Sequence, residues 1–154
     1  MSNTRNFTHN SNFFFGTNLF GEEATYNTQV VNLPGLSFSH INLSRQSSLL
    51  NMQGDTITYN DLTVEIIVDE ELKVWKDIVG SLLKMREGES GLGENLEKSA
   101  FLEIHDDNTK KILKLEFENC MIESIDDLSY NTNSDDEIIT VSVTIKYDFY
   151  RIIY

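Results

Sequence analysis

Cysteine and proline each occur once in this chain of 154 residues. The single thiol, Cys120, cannot close an internal disulfide, which excludes a disulfide-stapled scaffold and agrees with a reducing compartment. Basic residues are scarce: 12 Lys and Arg stand against 25 Asp and Glu, a net charge of −13. The imbalance is local, because residues 1–60 carry a net −1 and residues 61–154 a net −12. Such a surface repels phosphate backbones and anionic headgroups, so a grip on nucleic acid or peripheral membrane binding is disfavoured. A wall past which a polyanion slides is not. No run approaches about 18 apolar residues, which excludes a transmembrane helix and hence a membrane anchor of that kind. The apolar run Phe13–Phe15 is too short for a signal-peptide core, so the expected place of synthesis and residence is the cytoplasm.

What is present suffices for a core. Apolar residues make up 40% and aromatics 10% of the chain, an ordinary globular composition. A chain of this size buries roughly 70% of its unfolded surface. Residues 1–12 are rich in Asn, Ser and Thr and read as a flexible N-terminal arm whose natural support is a neighbouring subunit. Residues 13–154 read as a single β domain with no internal repeat.

Phe13–Phe20 and Tyr26–Leu33 lean to strand and flank a turn at Gly21-Glu22-Glu23. Leu33-Pro34-Gly35-Leu36 then encodes a sharp redirection, since Pro fixes φ and the following Gly tolerates positive φ. Ser37–Gly54 carries Phe38, Ile41, Leu43, Leu49, Leu50 and Met52 among Ser, Asn and Gln, without a clean period. It is too apolar for a bare loop. Two readings remain: a loop folded over the end of its own domain, or a surface buried against another subunit.

Thr56–Val68 reads as one strand with Leu62, Val64, Ile66 and Val68 on one face. The period then changes: Asp69 as N-cap, Glu70 and Glu71 at the positive end, and Leu72, Trp75, Ile78, Val79 and Leu82 on one face predict a helix ending near Gly88. Glu87–Glu97 reads as a loop. Ala100–His105 and Lys111–Glu118 form a hairpin about Asp106-Asp107-Asn108, Asn119–Leu128 a further strand, and Tyr130–Glu137 a polar turn. Ile138–Tyr150 alternates almost without error and predicts a final strand roughly 40 Å long at ~3.3 Å per residue. The expected architecture is mainly β, a two-sheet sandwich or barrel of about six to eight strands with one flanking α-helix.

No chemistry is legible. His9, His40 and His105 show no metal-ligand spacing, and the acidic turns lack the ligand pattern of a calcium loop. Gly88–Gly93 lacks the Lys and Ser or Thr of a phosphate loop, and its Glu residue would repel phosphate. Cys120 has no His near it in sequence and reads as a buried, inert thiol. No cofactor and no enzymatic activity are expected, although a small binding module remains a competing reading.

The order of features carries a resemblance. Tyr26-Asn27-Thr28-Gln29-Val30-Val31-Asn32-Leu33-Pro34-Gly35 resembles the second strand and Leu-Pro-Gly turn of the tail tube proteins of contractile-tailed bacteriophages. Asp61–Glu71 resembles their strand that runs into a lone helix, and Glu137–Asp148 is similar to their amphipathic final strand. The match spans about residues 13–150 as pattern and order. Two departures stand out: Leu62 occupies a position where the family often has an aromatic, and the Asn-rich arm has no counterpart.

The resemblance implies hexameric rings stacked into the inner tail tube of a virion, partnered by sheath and baseplate proteins, through which DNA passes without specific binding. A baseplate tube initiator or a secretion-system tube protein is the alternative within the same fold. In that frame Phe38, Ile41, Leu43, Leu49, Leu50 and Met52 are candidate subunit or ring interface residues, and Glu65, Glu116, Glu118 and Glu123 are candidates to line the lumen.

Overall fold

Alternating apolar residues build two walls with their buried faces toward each other. The computed structural model describes residues 12–19, 27–45, 48–86, 98–106, 108–132 and 137–153. In chain order the strands are β1 (Phe13–Thr17), β2 (Thr28–Val31), β3 (Leu36–Arg45), β4 (Ser48–Tyr59), β5 (Leu62–Ile67), β6 (Ala100–His105), β7 (Lys111–Glu118), β8 (Met121–Ile125), β9 (Thr140–Lys146) and β10 (Phe149–Ile153), and helix α1 (Lys73–Arg86) lies between β5 and β6. One sheet has the order β1-β6-β7-β10, a second β2-β5-β9-β8, and β3-β4 form a separate two-stranded ribbon. All pairings are antiparallel. Among the described residues the mainly β sandwich with one helix is therefore as expected, with more strands than the sequence promised and no closed barrel.

The core lies between the two four-stranded sheets. Leu62, Val64 and Ile66 of β5 and Val141, Val143 and Ile145 of β9 are buried opposite one another. Phe15, Leu102, Leu115 and Phe117 close it from the other sheet. Helix α1 adds Val74 and Ile78, both buried, with Leu82 packed at the margin. The expected helix face is thus rotated: Val74 takes the inward place, while Trp75 and Val79 are half-buried beside Ile125 and Leu128.

Three expectations need correction. The helix starts later than Asp69. Leu72, at a φ of 56°, supplies the carbonyl that accepts the first helical bond from Lys76 N (2.8 Å), and Asp69 only closes a preceding turn through Leu72 N (3.1 Å). Glu70 and Glu71 therefore precede the first turn.

Thr56–Val68 is not one strand. It breaks at Asn60-Asp61, where Asn60 N donates to Gly35 O (3.0 Å) and closes the root of the β3-β4 ribbon.

The long final strand also breaks. Asp148 N donates to Glu118 O (3.0 Å) and Asn119 Nδ2 to Asp148 Oδ2 (2.9 Å), which carries the chain from β9 in one sheet to β10 in the other.

The two strands that flank the expected turn, β1 and β2, lie in different sheets. The arm over 1–12 lies outside the described residues except Asn12, whose carbonyl accepts from His105 N (2.9 Å). The turn at Gly21–Glu23 and the glycine loop at 87–97 also lie outside them.

Candidate assembly interface

Ser37–Gly54, read from the sequence as an apolar-polar segment without a clean period, belongs, where it is described, to the β3-β4 ribbon, which packs along no other element beyond its root among the described residues. Cross-strand pairs Ile41↔Met52 and Leu43↔Leu50 put four of the candidate interface side chains on one face near the tip. Phe38 pairs with Ile57 nearer the root, beside Leu36↔Tyr59. Leu36, Phe38, Ile41, Leu43, Leu50, Met52 and Ile57 are between 41% and 54% exposed, far more apolar surface than a two-stranded ribbon bears alone. Leu49 is placed by its backbone, opposite Ser44.

The root is clamped by tyrosines that sequence reading missed. Tyr147 Oη donates to Asn60 O (2.6 Å) and Tyr150 Oη to Pro34 O (3.2 Å), one on each strand's entry to the ribbon. Their rings meet Tyr59 at centroid distances of 5.9 and 5.1 Å and Phe117 at 4.9 and 5.7 Å, mostly edge to face. Burial, the largest cause, and then each other's proximity push the Tyr147 phenol up; burial does the same for Tyr150, followed by Tyr59. The only signal in the sequence was the Pro34-Gly35 turn.

The four carboxylates singled out for a lumen do not share a face. Glu116 and Glu118 lie on β7 with side chains turned outward, alternating with buried Leu115 and Phe117. There they join a ladder of opposite charges: Arg151 pairs with Glu118 and Glu116 (3.8 Å), and Lys114 with Glu116 (3.7 Å) and Glu103 (3.9 Å). Lys111 also reaches Glu103 (3.7 Å), and Lys114 Nζ sits 5.0 Å above the Phe101 ring. This face is close to neutral.

Glu65 and Glu123 point outward from the opposite sheet. Their surroundings mix short hydroxyl side chains, Thr63 on β5 and Thr140, Ser142 and Thr144 on β9, with apolar ones at the same outward register, Val30 opposite Glu65, Ile67 opposite Thr140 and Met121 opposite Lys146. Ser142 Oγ donates to Glu65 Oε1 (3.5 Å). Lys146 is held between Asp61 (2.7 Å) and Glu123 (3.8 Å), which keeps its ammonium above its ordinary pKa, chiefly through the Asp61 hydrogen bond. Among the described residues Glu65 forms no ion pair. The face is a mixture of hydroxyl and apolar side chains and is mildly acidic.

Among the described residues each sheet ends in a strand with one strand neighbour only, β1 and β10 on one and β2 and β8 on the other. Strand edges of this kind are a liability for a lone molecule and an asset for a ring, where neighbours pair them.

Known structures supply the context. Neither a family model nor a curated protein sequence matches the chain significantly. Among solved structures, a chain of the anti-feeding prophage baseplate, 6-fold symmetrised, aligns over 99% of this chain and 97% of its own with a TM-score of 0.70 at 10% identity. A chain of the cap that terminates the anti-feeding prophage tube aligns over 99% and 95% with a TM-score of 0.68 at 14% identity. A chain of the sheath-tube complex of the PVC extracellular contractile injection system aligns over 93% and 88% with a TM-score of 0.66 at 17% identity. At these identities the likeness establishes the fold, which is shared with components of contractile injection particles, as the resemblance to tail tube proteins implied.

Proposed function

We propose that this chain is a ring-forming structural subunit of the tube of a contractile, tail-like particle, with its own copies as principal partners and sheath and baseplate proteins as neighbours. The observation that carries the reading is that, among the described residues, sheet edges without a further strand occur together with a projecting apolar ribbon, surfaces suited to burial by neighbouring copies. Fold likeness to tube, baseplate and cap components of such particles supports it. Six copies per ring is the natural number, given a neighbour described as 6-fold symmetrised.

In the finer form of the proposal the particle is a phage virion and the tube conducts DNA at ejection. The outward face of β5 and β9 then lines the lumen with Glu65 and Glu123, while Glu116 and Glu118 face away. A thin negative potential, with Lys146 already engaged by Asp61 and Glu123, leaves a polyanion no free positive charge on this face to hold it. The second reading, a baseplate initiator or terminal ring, rests on the baseplate and cap likenesses and differs in copy number alone: one ring per particle instead of many. Counting this chain in purified particles by quantitative mass spectrometry against the sheath protein separates the two. A ratio near one supports the tube, and a ratio far below one supports the terminal ring.

A further inference from the structure

The apolar character of the ribbon changes side along its length. Opposed residues of an antiparallel pair share a face, and faces alternate with each residue. Leu36↔Tyr59 and Phe38↔Ile57 therefore define one apolar face near the root. Ile41 lies three residues beyond Phe38, and Met52 five before Ile57, both odd steps. Ile41↔Met52 and Leu43↔Leu50 accordingly occupy the other face, with His40↔Gln53 and Asn42↔Asn51 behind them. The switch falls at the register shift between Phe38 and His40, where Gly54 is pressed on Ser39: a Cβ at residue 54 would stand 2.8 Å from the Ser39 carbonyl oxygen.

We propose that the ribbon is bivalent, its root face (Leu36, Phe38, Ile57) seating on an adjacent copy within the ring and its tip face (Ile41, Leu43, Leu50, Met52) on a copy in the next ring. This rests on the ring-and-tube reading above. Charge identifies the occupant as the chain itself. Across the strands Leu36–Arg45 and Ser48–Tyr59 the only formally charged side chains are Arg45 and Asp55, in a molecule of net charge −13. Copies so acidic approach closely only through a segment free of that charge. The root face is continuous with the Tyr59, Tyr147 and Tyr150 cluster, so it is held against the subunit's own flank and meets what lies beside it. The tip face is turned to the opposite side, beyond that clamp. One contact that closes by rotation makes a ring, and a second that does not close makes a stack.

The test compares Ile41→Asp with Met52→Asp (tip) and Phe38→Asp with Ile57→Asp (root), each pair made in the full chain. Circular dichroism checks folding, and electron microscopy with mass photometry reads assembly. The tip variant is expected to give closed rings that do not stack, and the root variant folded monomers. Equal behaviour of the two, whether both assemble fully or both stop at monomers, overturns bivalence. If either Asp pair loses the native spectrum, the corresponding Ser pair is read by the same criteria. Wild-type protein that forms neither rings nor tubes overturns the ring-and-tube reading itself, whereas wild-type tubes with indistinguishable variants overturn only the division of labour.

Discussion

At the scale of single residues, the two tyrosines at the ribbon root and the lone cysteine carry testable consequences. Tyr147 and Tyr150 hold phenols raised above their ordinary value of 10.0 by burial. The folded state then keeps protons that the unfolded chain releases, so this contribution to stability is complete below pH 10 and falls as pH rises beyond it. Lys146, raised above 10.5 by Asp61, acts in the same direction in the same range. Urea denaturation between pH 8 and 11 should show stability declining above pH 10, and Tyr147→Phe should flatten part of that decline while costing about 1 kcal/mol at neutral pH for its lost hydrogen bond. Cys120 is buried, and desolvation, assisted by the carboxylates of Glu118 and Asp148, pushes its thiol up to about 12. At pH 8 only on the order of one thiol in ten thousand is then a thiolate. Iodoacetamide should leave native protein unmodified over hours and label it promptly in denaturant. The sequence announced the inert thiol through its place in an apolar segment, but not the tyrosine clamp. That clamp joins residues 116 positions apart, such as Tyr150 and Pro34, and no local pattern encodes such a pairing.

The elements explain which parts of the fold were legible. β5 and β9 were, because each has one face in the core and one outside, and Leu62, Val64, Ile66 and Val141, Val143, Ile145 alternate accordingly. Ile145→Ala should cost about 2–5 kcal/mol, and Thr144→Ala on the outward side within about 0.5 kcal/mol, in chemical denaturation of the unassembled subunit. Breaks between elements were not legible where the alternation ran through them. Val141 to Phe149 keeps its period across the turn at Asp148, yet Tyr147 is half-buried and Phe149 exposed because the chain has changed sheets. The β3-β4 ribbon was hidden for the opposite reason. Its apolar residues switch face between Phe38 and Ile41, so no single period describes it, although its candidates Phe38, Ile41, Leu43, Leu50 and Met52 are all exposed in the subunit. A ribbon is legible as an amphipathic strand only when one partner covers one face.

For the whole molecule, the charge that seemed one property of the C-terminal two-thirds is divided between two outward faces with different chemistry. On the proposed lumen face, Glu65→Lys with Glu123→Lys should leave tubes assembled and slow DNA passage, most at low salt where screening is weakest. Glu116→Lys with Glu118→Lys, on the far face, should leave passage unchanged while placing like charges against Arg151. Particles whose ejection rates respond equally to both pairs would remove the distinction between the faces. The apolar ribbon and the sheet edges both serve the proposed self-assembly. Its most direct test is cryo-electron microscopy of the purified wild-type protein at high concentration. Stacked six-membered rings, with the β3-β4 ribbon between copies and β5 and β9 facing the axis, are the predicted result. A population of monomers with no rings or tubes, at concentrations where the exposed ribbon should be saturated by its own copies, would contradict it.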